Sequence, residues 1–193
     1  MSEQKRQVRR IADKLEKPKA RQGNPASIMI EVRRARRGDV PGIVTLVRQA
    51  TQGKHPVEEA EALGWLFGKG LMVATDGTNG VRVVGVAAWQ AENLLSVTDL
   101  FYVHPARLRV EAGGRLLAAI EAEANVLMCE ANVMILPPGT SKAVRTFLSK
   151  QGYEPKTYQE LHRIWREVLG EFVAGQPDLM VKRLREKMIM VPI

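Results

Sequence analysis

From residue 28 onward the hydrophobic pattern switches repeatedly between a period of two and a period near 3.6, and the order of those switches is the tightest constraint on the fold. Ile28, Ile30 and Val32 fall on one face of a strand that carries Arg33 and Arg34 at its exit. Asp39 is placed to cap a helix with Pro41 in its first turn, and Ile43, Leu46, Val47 and Ala50 form its apolar stripe. Ala60, Leu63 and Phe67 form the stripe of a second helix that starts after Pro56. Strand patterns at 71–75 and 81–90 follow, joined by Asp76-Gly77-Thr78-Asn79-Gly80, a run that tolerates positive φ. A third strand covers 95–103. After an irregular stretch from His104 to Gly114, Leu116, Leu117 and Ile120 mark a helix, and 131–136 a strand. Pro137-Pro138-Gly139 ends that strand, Thr140 or Ser141 caps a helix with Val144, Phe147 and Leu148 inward, and Gly152 closes it in the left-handed conformation. Residues 153–158 and 161–168 read as two more strands, and Leu179, Met180, Leu184 and Met188 as one face of a last helix. Strands and helices alternating in this way make an α/β protein, a mixed central sheet flanked by helices.

Charge divides the chain differently. The net charge is +8, and the first 37 residues alone hold 12 basic and 4 acidic side chains, so the remainder is balanced. A domain that coats nucleic acid carries its cations on a folded face, so that class is disfavoured. The pattern predicts a basic N-terminal arm at 1–27, a domain at 28–169 and a C-terminal tail at 170–193. Val8, Ile11 and Leu15 suit a short amphipathic helix in the arm, and Gly23-Asn24-Pro25 a linker. The arm either contacts nucleic acid or an acidic protein, or is a solvated tail; Arg33, Arg34, Arg36 and Arg37 either extend its surface or line a solvated edge. A lone Cys129 in an apolar context reads as buried wall and, with no cysteine partner, excludes a disulfide scaffold. No apolar run reaches the length of a membrane span and no signal peptide is visible, which points to the cytoplasm and away from membranes. No cluster has metal-ligand spacing, and no nucleophile elbow or Gly-Lys-Ser/Thr phosphate loop is present.

A strand that ends in a glycine-bearing turn and feeds a helix offers free backbone N–H groups and the positive end of a helix dipole to an anion such as a pyrophosphate. That arrangement falls at 95–120, with Arg107, Arg109 and Arg115 around it. A purely structural alternative is that Gly113 and Gly114 let the helix pack close to the sheet.

Three stretches carry a resemblance: Val32-Arg33-Arg34-Ala35 through Asp39-Val40-Pro41-Gly42-Ile43; Leu100-Phe101-Tyr102-Val103-His104-Pro105 followed by Gly113-Gly114-Arg115-Leu116-Leu117; and Lys150-Gln151-Gly152-Tyr153. In this order, over roughly 30–168, the chain resembles the GNAT superfamily of acetyltransferases. The resemblance implies acetyl-CoA as cofactor, with Phe101, Tyr102 and Val103 along the pantetheine and Arg109, Gly113, Gly114 and Arg115 at the pyrophosphate. The match is eroded. An ungapped alignment sets Leu108 at the loop's basic position and Glu111 at its first glycine; a shift of one restores Arg109 and Gly114 but leaves Ala112 in the middle. Ser141 stands where many members have Asn, and Leu148 where they have the tyrosine that protonates the leaving thiolate. Tyr102, Tyr153 and Tyr158 are the substitutes in the chain, Tyr153 at a core position. An amine acceptor also needs a base, and Asp99 and Glu92 are the catalytic candidates by position; His104 reads as a turn residue, and Trp65, Trp89 and Trp165 as core.

Two functions follow. The first is transfer of an acetyl or other acyl group from acetyl-CoA to a primary amine. The second is a catalytically inactive GNAT-fold module in a larger assembly such as a bacteriophage virion, where the arm and tail would dock; a homo-oligomer is compatible with either.

Overall fold

A computed structural model describes residues 29–77, 82–173 and 178–186. The basic arm and its partners, Ile28, the turn residues 78–81 and Met188 lie outside the described residues. The strands are β1 (Ile30–Arg34), β2 (Gly70–Asp76), β3 (Arg82–Glu92), β4 (Leu95–Val103), β5 (Ala131–Leu136), β6 (Glu154–Lys156) and β7 (Asp178–Arg183). They form one seven-stranded sheet in the order β1-β2-β3-β4-β5-β7-β6. Every pairing is antiparallel except β4 with β5. The helices among the described residues are α1 (Val40–Thr51), α2 (Glu59–Gly68), α3 (Gly114–Val126), α4 (Lys142–Lys150) and α5 (Arg163–Leu169). This is the expected α/β architecture, a mixed sheet with helices on both faces. No helix among the described residues is long and apolar enough to cross a membrane.

The apolar stripes decide which helix covers which face. Ile43, Leu46 and Val47 of α1 pack with Ala62 of α2 on Leu71, Val73, Val86 and Leu100. On the other face, Leu116, Ile120 and Ala124 of α3 cover Met72, Ala74 and Ala87. Phe147 and Leu148 of α4 join Leu117, Met134, Tyr153 and Met180 on that same side. Ile43, Leu116, Ile120 and Leu148 are all 0% exposed, and full burial of such a side chain is worth about 1.5–3 kcal/mol before entropy. Cys129 is buried in the α3 core, as its context implied, and burial pushes its thiol up. Trp89 and Trp165 are buried, while Trp65 is half-buried against the α1–α2 cluster.

Several expectations require correction. The α2 stripe is Ala62, Leu63 and Leu66; Phe67 points outward and is 79% exposed. Residues 161–168 do not form a strand: Leu161, Trp165, Val168 and Leu169 recur at helical spacing and bury one side of α5 on Val97, Val133 and Val181. The expected helix around Leu179 and Met180 is instead β7, inserted between β5 and β6. Leu179, Met180 and Val181 are all buried because helices cover both faces of a central strand, so the period-of-two signal is erased. The sheet therefore does not end at residue 169, and the segment 178–183 belongs to the domain.

Asp39 is not a conventional helix cap. Its carboxylate takes both guanidinium nitrogens of Arg33 at 2.7 and 2.9 Å and the backbone N–H of Arg36 at 2.7 Å, tying the exit of β1 to the turn before α1. Arg34 is paired with Glu123 of α3 and remains exposed. The Arg33 hydrogen bonds, followed by the Arg36 N–H, hold the Asp39 carboxyl below its ordinary value. The unfolded chain therefore binds the proton more readily, and the stabilisation is complete above the ordinary carboxylate range and lost as pH falls through the depressed value. Asp39→Ala is accordingly expected to flatten the acid limb of a Tm-against-pH curve; an unchanged slope would contradict the linkage.

One buried carboxylate is uncompensated. Glu130 is 1% exposed and neither side-chain oxygen has a hydrogen-bond partner among the described residues. Such a group costs more buried than its neutral isostere does. Glu130→Gln is expected to raise Tm by about 5 °C, corresponding to roughly 2 kcal/mol in a domain of this size. Thermal melts at neutral pH check it, and a lowered Tm would overturn the reasoning.

Candidate active site

The site is made by a defect in the sheet. Trp89 and Ala88 of β3 face Thr98 and Leu100 of β4, so Asp99 is the extra residue of a bulge. The extra residue reverses the alternation. Val97 faces α5, whereas beyond the bulge Leu100 and Tyr102 face α1 and α2, and Phe101 and Val103 face α3. Pairing of β4 with β5 also stops there, at Thr98 and Met134, although β4 runs on to Val103 and β5 to Leu136. The two parallel strands thus diverge past the bulge, and among the described residues the β5-facing edge of β4 has no strand partner from Leu100 to Val103.

The chain leaving β4 becomes helical at once. A 3-10 turn over Ala106–Leu108 and a π-helical turn over Arg109–Gly113 lead directly into α3. Gly113 and Gly114 both have right-handed helical φ, −66° and −61°, so neither is needed for backbone freedom. Gly113 is in a tight place: a Cβ there would lie 3.1 Å from Phe147 and 3.3 Å from Phe101. Those rings stack across the divergence with centroids 6.2 Å apart and planes at 18°. A Cβ on Gly114 would meet Gln151 at 3.6 Å, an ordinary contact.

Between this helical turn and α4 lies an open groove of about 510 Å³. Its wall carries Arg109, Lys142 and Lys150, with Phe147 at the base. None of these three cations has an ion pair among the described residues, whereas Arg33, Arg34, Lys69, Arg115, Arg145 and Lys182 all do. Glu111 pairs with Arg115 at 3.5 Å. Arg115 also donates to the Ile30 carbonyl at 2.8 Å, so its guanidinium is committed to β1 and does not join the groove as expected. Ser141 accepts the Val144 N–H at 3.4 Å and serves as the cap of α4.

The other candidates separate clearly. Asp99 sits at the bulge itself, where Lys69 engages Oδ2 while Oδ1 is buried with no hydrogen-bond partner among the described residues. Glu92 is exposed in the β3–β4 turn, paired with Leu95 at the opposite end of β4 from Val103, and does not reach the divergence. Leu148 is 0% exposed in the α4 core and offers no proton. Tyr153 does not replace it: 1% exposed, it donates to Glu121 at 3.0 Å, and burial followed by the Glu121 charge pushes its phenol far up. Tyr158 donates to the Arg166 carbonyl. Tyr102 is half-buried on the α1–α2 face, its phenol raised by burial and by Glu61. The sequence reading missed Lys69, Lys142 and Lys150. The two α4 lysines were legible as the polar face opposite Val144 and Phe147, but Lys69 meets Asp99 only through the fold.

The fold matches N-acetylglutamate synthase from Neisseria gonorrhoeae in complex with coenzyme A and N-acetylglutamate, with a TM-score of 0.60 and 20% identity over 82% of this chain and 36% of that one. It matches a GNAT-family acetyltransferase from Staphylococcus aureus with a TM-score of 0.63 and 12% identity, over 81% of this chain and all of the other (100%). A third match is the phosphinothricin acetyltransferase of Sinorhizobium meliloti in complex with acetyl-CoA, TM-score 0.60 and 19% identity over 85% of this chain and 93% of that one. The chain has the GNAT fold. It spans about a third of the length of the Neisseria enzyme. No protein-family model matches the sequence, and neither does any curated protein.

Proposed function

We propose that the protein transfers an acyl group from acetyl-CoA to a primary amine. The observation that carries this reading is the groove between α4 and the turn that follows β4, lined by three cations with no ion pair among the described residues, together with the edge of β4 that has no strand partner among them from Leu100 to Val103. The groups present fit the cofactor. Arg109, Lys142 and Lys150 match the charge of its phosphates, and the free edge of β4 at Phe101, Tyr102 and Val103 matches the amides of a pantetheine arm. Bound acetyl-CoA supplies an activated thioester. The chain's part is to hold the acceptor and relieve it of its proton, since only a neutral amine attacks. Asp99 is the group placed for that step, with Oδ2 fixed by Lys69 and Oδ1 unpartnered at the bulge. Leu148 is buried and carries no proton to give, so the position that the resemblance assigns to a tyrosine acid would take no part in releasing the thiol.

Neighbouring folds with bound coenzyme A or acetyl-CoA support the cofactor, and the comparisons lend no support to the inactive virion module. The direct test is a thermal melt with acetyl-CoA, followed by thiol release in the presence of a panel of primary amines. Binding at 100 times the dissociation constant should stabilise the fold by about 2.7 kcal/mol. No shift at millimolar cofactor would remove the basis of the proposal.

A further inference from the structure

Seven large hydrophobic side chains are exposed among the described residues, and four of them fall at one end of the molecule. Val126, Leu127 and Met128 close α3 and start the turn toward β5, and they are 80%, 55% and 51% exposed. Leu94, 40% exposed in the β3–β4 turn, lies beside that turn, because its carbonyl accepts the Glu130 N–H at 2.6 Å. Here β4 and β5 begin to pair, at Leu95 and Ala131, whereas their divergence starts beyond Met134 at the other end. None of the four side chains lines the basic groove. Exposed apolar side chains grouped in this way mark a surface that another apolar group covers.

The chain itself returns to this end of the molecule. Past β7 the Leu184 N–H donates to the Glu130 carbonyl at 2.8 Å. The Arg185 guanidinium donates to the Asn125 carbonyl at 3.3 Å and to the Met128 sulfur at 2.8 Å. After Glu186 the sequence continues as Lys187-Met188-Ile189-Met190-Val191-Pro192-Ile193, an unbroken apolar run behind one lysine. Fully extended, a stretch of that length reaches roughly 23 Å, and it starts two residues from the side chain that touches Met128.

We propose that residues 188–193 of the same chain occupy the patch formed by Leu94, Val126, Leu127 and Met128. Four side chains are few beside the roughly 20–30 residues that each partner gives to a stable protein–protein interface, but they suit a short apolar segment. The run is also far below the roughly 20 residues of a membrane-spanning helix. Docking in the same chain removes both apolar surfaces from water at once, and the short connection through Arg185 keeps the entropy of closing the contact low. The proposal is independent of the acyl-transfer reading, because neither the groove nor Asp99 enters it.

The test is a double-mutant cycle read by thermal melts of the full chain. One variant carries Val126→Ser with Leu127→Ser, a second Ile189→Ser with Met190→Ser, and a third all four. Serine and valine have similar helix propensities, so the first pair leaves the end of α3 helical. Ile189 and Met190 are adjacent, so one of them faces the patch whichever way an extended segment is turned. Each pair is expected to lower Tm by about 3 °C or more, and the four together by little more than either pair alone. In the unaltered chain Tm should stay constant over a roughly 100-fold range of protein concentration, as an intramolecular contact requires. An unchanged Tm for either pair, or fully additive losses in the fourfold variant, would overturn the assignment. So would sedimentation showing a dimer that Ile189→Ser with Met190→Ser dissociates, because the segment would then sit on a second copy.

Discussion

Replacing Arg109, Lys142 and Lys150 together by alanine is expected to weaken acetyl-CoA binding at least about 100-fold, since each charge lost from a phosphate contact costs on the order of tenfold. The folded state should be nearly untouched. Lys142 and Lys150 are exposed, Arg109 is half-exposed, and none has a salt bridge to lose among the described residues. Isothermal titration at two ionic strengths makes the test sharper. In the unaltered chain affinity should fall as salt rises, because these are solvent-screened charges, and in the triple variant that dependence should be reduced. The informative comparison is Arg115→Ala, whose side chain is occupied by Ile30 and Glu111 and should leave cofactor affinity within about twofold of the original value. Loss of affinity in Arg115→Ala, with none in the triple variant, would place the anion site at the start of α3 and overturn the groove as its location.

The second large effect is expected at Asp99. Asp99→Asn keeps the shape of the side chain and a partner for Lys69 but removes the group that accepts the amine's proton. Turnover with a primary amine should fall by about 10²–10⁴-fold while acetyl-CoA still binds. The residual rate should climb steeply with pH, because the reaction then depends on amine that is already neutral, and an alkyl amine deprotonates near about 10. Steady-state rates from pH 6 to 10, beside the cofactor titration, separate the two contributions. An unchanged rate would remove Asp99 from the mechanism. Glu92→Gln is the matching control, since Glu92 lies in the exposed turn at the wrong end of β4 and should have no effect on rate.

These two predictions also show where sequence reasoning stopped. Asp99 was legible as a carboxylate on the third strand, but its place depends on a bulge, and the bulge is a statement about which residues of β3 and β4 face each other. The same event explains why alternation along 95–103 is broken: Val97 and Leu100 both lie in apolar cores on the same side of the sheet, three positions apart. Glu92 and Asp99 were equivalent by position in the sequence and differ only in which end of β4 each occupies. Arg109 and Arg115 were equivalent members of a basic cluster until Ile30 and Glu111 claimed one of them.

The sequence by itself determined the order of elements through α4, the α/β class, the two apolar faces of α3 and α4, and the left-handed close at Gly152, whose φ is +89°. Those features rest on local periodicity, capping and glycine's freedom, all encoded within a few residues. Only the tertiary structure decided that 163–169 is a helix and 178–183 a strand, and it decided the site as well. Leu179, Met180 and Val181 are apolar in succession because both faces of the strand are covered there, so β7 has no period of two to read, and its neighbours β5 and β6 supply the hydrogen bonds that select the extended form. Which cations stay unpaired is decided only when the fold brings carboxylates to the others, which is why the groove at Arg109, Lys142 and Lys150 emerges from the fold rather than from the composition.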